Sequence, residues 1–239
     1  MLASLIFLLG QSGSLASAPD TIRQQHLPDV VVRPRHEAVV TPYVGRPHPI
    51  NAYSLIPGIQ VAVHLVGTAD DPITGLRLHL KKETVKQGRL RVRLVPAGSD
   101  NPTSVPNGPD LMHPITLTAA QLSVPDGLLT LPLHQLNLVM PQGGIFVVLE
   151  SLGNERAPEY VAVTTPAKGN DGPKVVMKGE DAIETTPLEE WAQLKGATTK
   201  SAARTWVNGH NGKGWTLRHP RGTREDVMNS NVELLVQSR

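Results

Sequence analysis

The sequence predicts an all-β protein, an antiparallel β-sandwich of jelly-roll type with one short helix. Gly and Pro number 21 each among 239 residues, which favours frequent turns over long helices. Roughly ten short segments alternate apolar and polar residues with a period of two, the pattern of strands with one buried face. IFVVL, from Ile145 to Leu149, is apolar throughout, as in a strand that is covered on both faces. Together these observations predict a sandwich or jelly roll.

The first 18 residues, MLASLIFLLGQSGSLASA, predict a secretory signal peptide. Leu2 to Leu9 form a short apolar run, and Ala16-Ser17-Ala18 is a small-x-small cleavage site, although no Lys or Arg precedes the run. A buried N-terminal strand or helix is the alternative. We expect an exported chain in the periplasm, at the outer membrane or outside the cell. No later stretch is apolar enough to predict a transmembrane segment.

Residues 19–50 are rich in Pro, Arg and His and predict an extended linker or edge segment. The β-sandwich domain is expected over residues 51–239. Within that domain the clearest alternation is in IQVAVHL, GLRLHL and GRLRVRL, each of which predicts a strand with one wet face. TTPLEEWAQLKG predicts the helix, with Thr186 as N-cap, Glu189 completing a capping box and Gly196 past its end.

From Gly75 to the end, several segments resemble one family of exported bacterial domains. They are GLRLHLKK, GRLRVRLVPAGSDNPTSVPNGPDL, GLLTLPLHQLNLVMPQGGIFVVLESLG and GWTLRHPRGTREDVMNSNVELLVQ. Their order is similar to that of β-sandwich domains in uncharacterised proteins of the carboxypeptidase-like regulatory-domain type, over about two thirds of the chain. The resemblance implies a cell-envelope location and no established chemistry.

A row of basic side chains is the first candidate binding surface. If GLRLHLKK and GRLRVRL pair as a hairpin, their polar residues share one face of the sheet. That face would carry Arg77, His79, Lys81, Arg89, Arg91 and Arg93. Like charges across a hairpin are destabilising, so we expect either an anionic envelope glycan or another envelope protein as partner, or a solvated outer face.

The second candidate surface lies in TWVNGHNGKGWTLRHPRG, from Thr205 to Gly222. RTWVN and GWTLR predict two arms of a hairpin with a Gly-rich turn between them. Trp206 and Trp215 then either close the end of the sandwich or, if exposed, form a platform on which a glycan stacks.

No catalytic residue, cofactor or metal site is predicted. Asp100, Asn101, Asn107 and Asp110 resemble ordinary turn residues more than a calcium loop, and the nine histidines lack zinc-site spacing. We interpret Glu150, Glu155 and Glu159 as ordinary acidic residues near the end of a strand and not as catalytic carboxylates. The chain has no cysteine and a formal charge of only +2, so disulfides are excluded and nucleic acid is not an expected partner.

We therefore expect a non-catalytic exported structural or binding module of the cell envelope, and not an enzyme. A carbohydrate-binding module is the first alternative, and a hydrolase of unrecognised type is the second.

Overall fold

The computed structural model describes residues 36–43, 48–82, 84–98, 105–165, 172–199, 204–209, 213–218 and 227–238. All of them fall in one compact unit, Pro34–Arg239. The predicted signal peptide, residues 1–18, lies outside the described residues.

The described residues form sixteen strands, one α-helix and two turns of 3-10 helix. The strands are β1 (His36–Val40), β2 (His48–Ser54), β3 (Gln60–Leu65), β4 (Ile73–His79), β5 (Arg89–Pro96), β6 (Ile115–Thr118), β7 (Leu128–Pro132), β8 (Ile145–Leu152), β9 (Glu159–Thr164), β10 (Lys174–Lys178), β11 (Ile183–Pro187), β12 (Gln193–Thr199), β13 (Thr205–Asn208), β14 (Thr216–Leu217), β15 (Val227–Ser230) and β16 (Val232–Ser238). The helix α1 is Ala119–Leu122, and the 3-10 turns are His134–Leu136 and Leu188–Glu190.

Two of the sheets have the strand order of a jelly roll. One runs β1-β16-β4-β7, and the other contains β3-β8-β5-β6 in a row. If these eight strands are numbered from one to eight in chain order, the first sheet has the order 1-8-3-6 and the second sheet has the order 2-7-4-5. This interleaving of two Greek keys defines the jelly roll. The predicted all-β jelly-roll sandwich is confirmed.

The core lies between these two sheets, where alternate residues of each strand point inward. Leu76 and Leu78 of β4 and Leu234 of β16 are buried on one side, and Val92 of β5 and Val147 of β8 on the other. Burying one such side chain stabilises the fold by about 1.5–3 kcal/mol. Polar residues at the intervening positions of β4 and β5 therefore face outward, away from this core.

A large insertion separates β8 from β16. It contains β9 to β15, of which β11-β10-β9 form one small sheet and β15-β12 form another with β2. Strands β13 and β14 instead extend the jelly-roll sheet beyond β3, so that this sheet has six strands. Trp191 is 1% exposed and packs with Val175 and Met177.

Strand β1 lies within residues 19–50, the segment predicted as a linker or edge segment. It is an edge strand that pairs with β16 from His36 opposite Ser238 to Val40 opposite Leu234. The sandwich therefore includes residues before position 51.

The predicted hairpin of β4 with β5 is wrong. Strand β4 pairs with β16 and β7, whereas β5 pairs with β8 and β6. A jelly roll sends most successive strands to opposite sheets, so neighbours in the sequence do not share a face.

The predicted helix after Thr186 is also wrong. The segment ends β11, makes a single 3-10 turn and enters β12. The Thr186 hydroxyl accepts a hydrogen bond from Nε1 of Trp191 at 3.0 Å instead of capping a helix. The capping box lies at Thr118 and Gln121, at the start of α1.

None of the helices in the described part of the chain is long and apolar enough to cross a membrane.

Candidate functional site

Four polar side chains lie in one row across the outer face of the six-stranded sheet. Asn208 of β13 pairs with Gln60 of β3, Gln60 with Glu150 of β8, and Glu150 with Arg91 of β5. Directly paired residues of antiparallel strands share a face. The row therefore spans four strands, about 14 Å at the usual strand spacing. We call it the polar row.

The polar row forms the floor of a cleft of about 680 Å³. The cleft walls come from the turn at Pro57–Gly58, from Gly153, from Pro158–Tyr160 and from Gly209. Because the floor belongs to adjacent paired strands, its side chains are held on rigid elements rather than on loops. We call this cavity the row cleft.

Hydrogen bonds within the polar row fix its side chains in pairs. Arg91 donates from Nη1 to Oε2 of Glu150 at 3.0 Å, and Asn208 donates from Nδ2 to Oε1 of Gln60 at 3.3 Å. All four side chains remain partly accessible. An amide and a guanidinium hold more donors than these bonds use, and an amide oxygen or carboxylate can accept further bonds. The row therefore offers both donors and acceptors to a ligand.

The charges that line the row cleft balance. Two arginines, Arg89 and Arg91, face two glutamates, Glu150 and Glu159. The Arg89 guanidinium also donates from Nε to the Gly153 carbonyl at 3.3 Å. A cleft with balanced charge and many hydrogen-bonding groups suits a neutral polar ligand better than a polyanion.

In the next row along the same face, Trp206, Ala62 and Val148 are buried. They form one hydrophobic cluster with Phe146. Trp206 is 2% exposed and meets the Phe146 ring edge to face, with 5.5 Å between ring centroids. This packing supports the sheet from which the polar row projects.

His64 completes this buried cluster. Its ring stacks on Phe146 with centroids 4.7 Å apart, and its Nε2 lies 2.9 Å from the Gly143 carbonyl oxygen. A carbonyl oxygen only accepts, so Nε2 carries the proton. Nδ1 lies 3.4 Å from Nη1 of Arg204, which only donates, so Nδ1 is the acceptor. These two contacts suit an imidazole with its proton on Nε2.

The predicted glycan platform is therefore wrong at Trp206, because a buried ring cannot stack on a ligand. Trp215 is half-buried and packs against the same cluster. The hairpin predicted for this segment is present, since Trp206 pairs with Leu217 and Val207 with Thr216. His210 and His219, which the segment also contains, lie outside the described residues.

The predicted basic face does not exist as one surface, because its residues lie on two sheets. On β4, Nη1 of Arg77 lies 3.9 Å from Glu233, and Nε2 of His79 lies 3.1 Å from the same carboxylate. Lys81 follows β4 and donates its backbone N–H to Gln193 at 2.8 Å.

On β5, each of the three arginines faces its own carboxylate. Arg91 pairs with Glu150, as described, and Arg93 makes two hydrogen bonds, of 3.0 and 3.1 Å, from Nε to the carboxylate of Asp110. Arg89 lies 3.7 Å from Glu155. Acids from neighbouring elements offset the positive charge of the strand.

The structure describes only part of the loop that was compared with a calcium site. Asp100 and Asn101 lie outside the described residues, Asn107 is exposed, and Asp110 is bound to Arg93. Among the described residues, no group of three or more His, Cys, Asp or Glu could hold a metal ion.

Sequence patterns singled out Arg89, Arg91, Glu150 and Glu159 but missed Gln60, Asn208 and Tyr160. The signal in the sequence was Glu150, which follows the apolar run IFVVL. A glutamate there indicates a solvent-exposed position on a central strand.

No protein-family model matches the chain, and no curated protein or solved structure matches it.

Proposed function

We propose that this protein is a non-catalytic carbohydrate-binding module that binds a neutral oligosaccharide in the row cleft. The observation that carries the proposal is the polar row, which presents two amides, a carboxylate and a guanidinium side by side on rigid strands. Saccharides expose many hydroxyl groups, each of which donates and accepts, and such a row offers both functions to them.

The size of the cleft also supports an oligosaccharide. A volume of about 680 Å³ falls in the range of small-molecule sites, roughly 300–1,000 Å³. The row extends over about 14 Å, which is longer than one sugar ring. Tyr160 also lines the cleft, and it is partly buried against the hydrophobic cluster that contains Trp191.

The balanced charge of the row cleft favours a neutral glycan over the anionic glycan that the predicted basic face implied. The charges of Arg91 and Glu150 offset each other at 3.0 Å, so a polyanion would have to displace Glu150 or be repelled by it.

A glycan array followed by calorimetry tests the proposal. The strongest neutral oligosaccharide on the array is titrated into wild type, Gln60→Ala and Asn208→Ala. We expect each variant to weaken binding about tenfold, because each removes a side-chain amide that hydrogen-bonds the ligand.

Matched controls are Gln135→Ala and Asn107→Ala, which remove the same amides from exposed positions outside the cleft. They should bind as wild type does. An array that retains no saccharide, or equal affinity in all five proteins, would overturn the proposal. Release of shorter saccharides during incubation would contradict its non-catalytic part.

The predicted signal peptide supports an exported location for this module. We propose that it acts in the cell envelope, and fractionation of cells that express the full chain tests this. Recovery from the envelope or medium is expected, and recovery from the cytoplasm alone would contradict it.

A further inference from the structure

A second cleft adjoins the row cleft. It has a volume of about 710 Å³ and lies between the turn before β5, the loop after β8 and strand β11. Arg89 lines both clefts. The two cavities therefore adjoin at Arg89. We call the second cavity the loop cleft.

The floor of the loop cleft contains a hydrogen-bond network around Asn154. Oδ1 of Asn154 accepts from the backbone N–H of Gly88 at 2.7 Å. Its Nδ2 donates to Gln87 at 2.9 Å and to Glu184 at 3.2 Å. Because both Nδ2 hydrogens of Asn154 are donated within the protein, this side chain is held in one orientation.

The cations that line the loop cleft are held to different degrees. Arg89 lies 3.7 Å from Glu155, whose side chain is 84% exposed, so solvent screens this pair strongly. Arg156 is exposed and has no hydrogen bond or ion pair within the described part of the chain. Lys86, by contrast, lies 3.0 Å from Glu190.

The cations of the loop cleft differ in how they are held. Lys86 is paired with Glu190 and Arg89 lies near Glu155, whereas Arg156 has no ion pair within the described residues. Such a guanidinium is suited to bind a carboxylate through two parallel hydrogen bonds.

We propose that the loop cleft binds the carboxylate of an acidic sugar residue, through Arg156, in the same glycan chain that occupies the row cleft. This inference rests on the proposed function. It makes the ligand a mixed glycan, with a neutral residue over the polar row and a uronic acid next to it.

The test uses pairs of probes. Each neutral oligosaccharide that the array retains is compared with the same oligosaccharide in which one terminal residue alone carries a carboxylate in place of its primary hydroxyl group. Wild type should bind the oxidised member about tenfold more tightly. The advantage should shrink as salt rises from 20 to 500 mM, roughly 20 to 4 Å in Debye length. Arg156→Ala should abolish it, and Lys82→Ala, which removes an exposed cation elsewhere, should retain it.

The outcomes separate this inference from the proposed function. Equal affinity for the two members of a pair, or an advantage that survives in Arg156→Ala, overturns the uronic-acid subsite and leaves neutral glycan binding intact. Sodium acetate and inorganic phosphate are titrated separately. If either binds as tightly as the oxidised oligosaccharide, the loop cleft is a general anion site and the inference is wrong. If no oligosaccharide binds at all, the proposed function fails, and this inference fails with it.

Discussion

Arg91 and Glu150 are joined across β5 and β8, with Nη1 of the arginine 3.0 Å from Oε2 of the glutamate. The arginine side chain is 42% exposed and the glutamate 22%, so both are in contact with solvent at the floor of the row cleft. The pair sets the charge balance of the cleft and is expected to matter more for ligand binding than for folding.

Glu150→Gln should separate these two roles. An ion pair this exposed contributes at most about 1 kcal/mol, so the free energy of unfolding should change little. Oligosaccharide affinity should fall, because one strong acceptor is lost and the Arg91 charge is no longer offset. Denaturant unfolding and calorimetry measure the two quantities. Glu180→Gln, at an exposed position outside the row cleft, is the control, and equal affinity in both variants would contradict the assignment.

Gly88→Ala should destabilise the fold by at least about 2 kcal/mol. Gly88 has φ of +77°, and an added Cβ would fall against the Cζ3 atom of the Trp191 indole. That indole is held by its bond to Thr186, so it cannot move freely.

Gly214→Ala is the matched control for Gly88→Ala. Its φ is +67° but nothing lies within 4 Å of an added Cβ, so it should cost about 1 kcal/mol from backbone strain alone. Thermal or denaturant unfolding measures both variants. Equal losses would show that the contact with Trp191 contributes nothing.

Tyr43 should make the fold sensitive to alkaline pH. Burial, and secondarily the negative charge of Glu233, raise the pKa of Tyr43 above its ordinary value of 10.0. The folded state thus favours the protonated phenol. Its stabilisation is complete below the unfolded pKa and is lost as pH rises through the folded pKa.

Tyr43→Phe should remove that alkaline loss. It should also cost about 1 kcal/mol at neutral pH, because the hydroxyl no longer donates to Oδ1 of Asn231 at 3.0 Å. Unfolding free energies measured from pH 7 to about 11 test this. Parallel declines of wild type and variant above pH 10 would contradict it.

Glu190 should make the stability of the fold sensitive to acidic pH. Hydrogen bonds from Gln87 and then from Lys86 lower the pKa of Glu190 below its ordinary value of 4.5. The stabilisation is present above the unfolded pKa and is lost as pH falls through the folded one. Glu190→Gln should therefore lose less stability between pH 5 and about 3 than wild type does. Glu189→Gln, at the neighbouring exposed position, should behave as wild type, and an unchanged slope in Glu190→Gln would count against this account.

Local patterns predicted many strands of this fold but not their partners. The alternation in β4 and β5 is a property of each strand alone, so it was visible in the sequence. Their pairing with β16 and β8 depends on residues far along the chain, and the jelly roll separates strands that a hairpin would have joined. The same limit applies to helix capping. Thr186 is followed by Glu189 at the spacing of a capping box, but the burial of Trp191 and the pairing of β12 prevent a helix there.

The candidate site was only partly visible for a related reason. Gln60, Glu150 and Asn208 are distant in sequence and meet only through strand register. Each looks like an ordinary polar residue by itself. Trp206 drew attention because it is rare and aromatic, yet its register opposite Ala62 places it in a buried row. The polar row becomes evident only when the order of the strands is known.

Glycan binding at the polar row is tested most directly by ¹⁵N NMR of the side-chain amide signals of Gln60 and Asn208 during titration with the best neutral oligosaccharide. We expect both signals to shift in saturable fashion with one dissociation constant, while those of Gln135 and Asn107 stay in place. Saturable binding that shifts Gln135 or Asn107 but leaves Gln60 and Asn208 unmoved would contradict it.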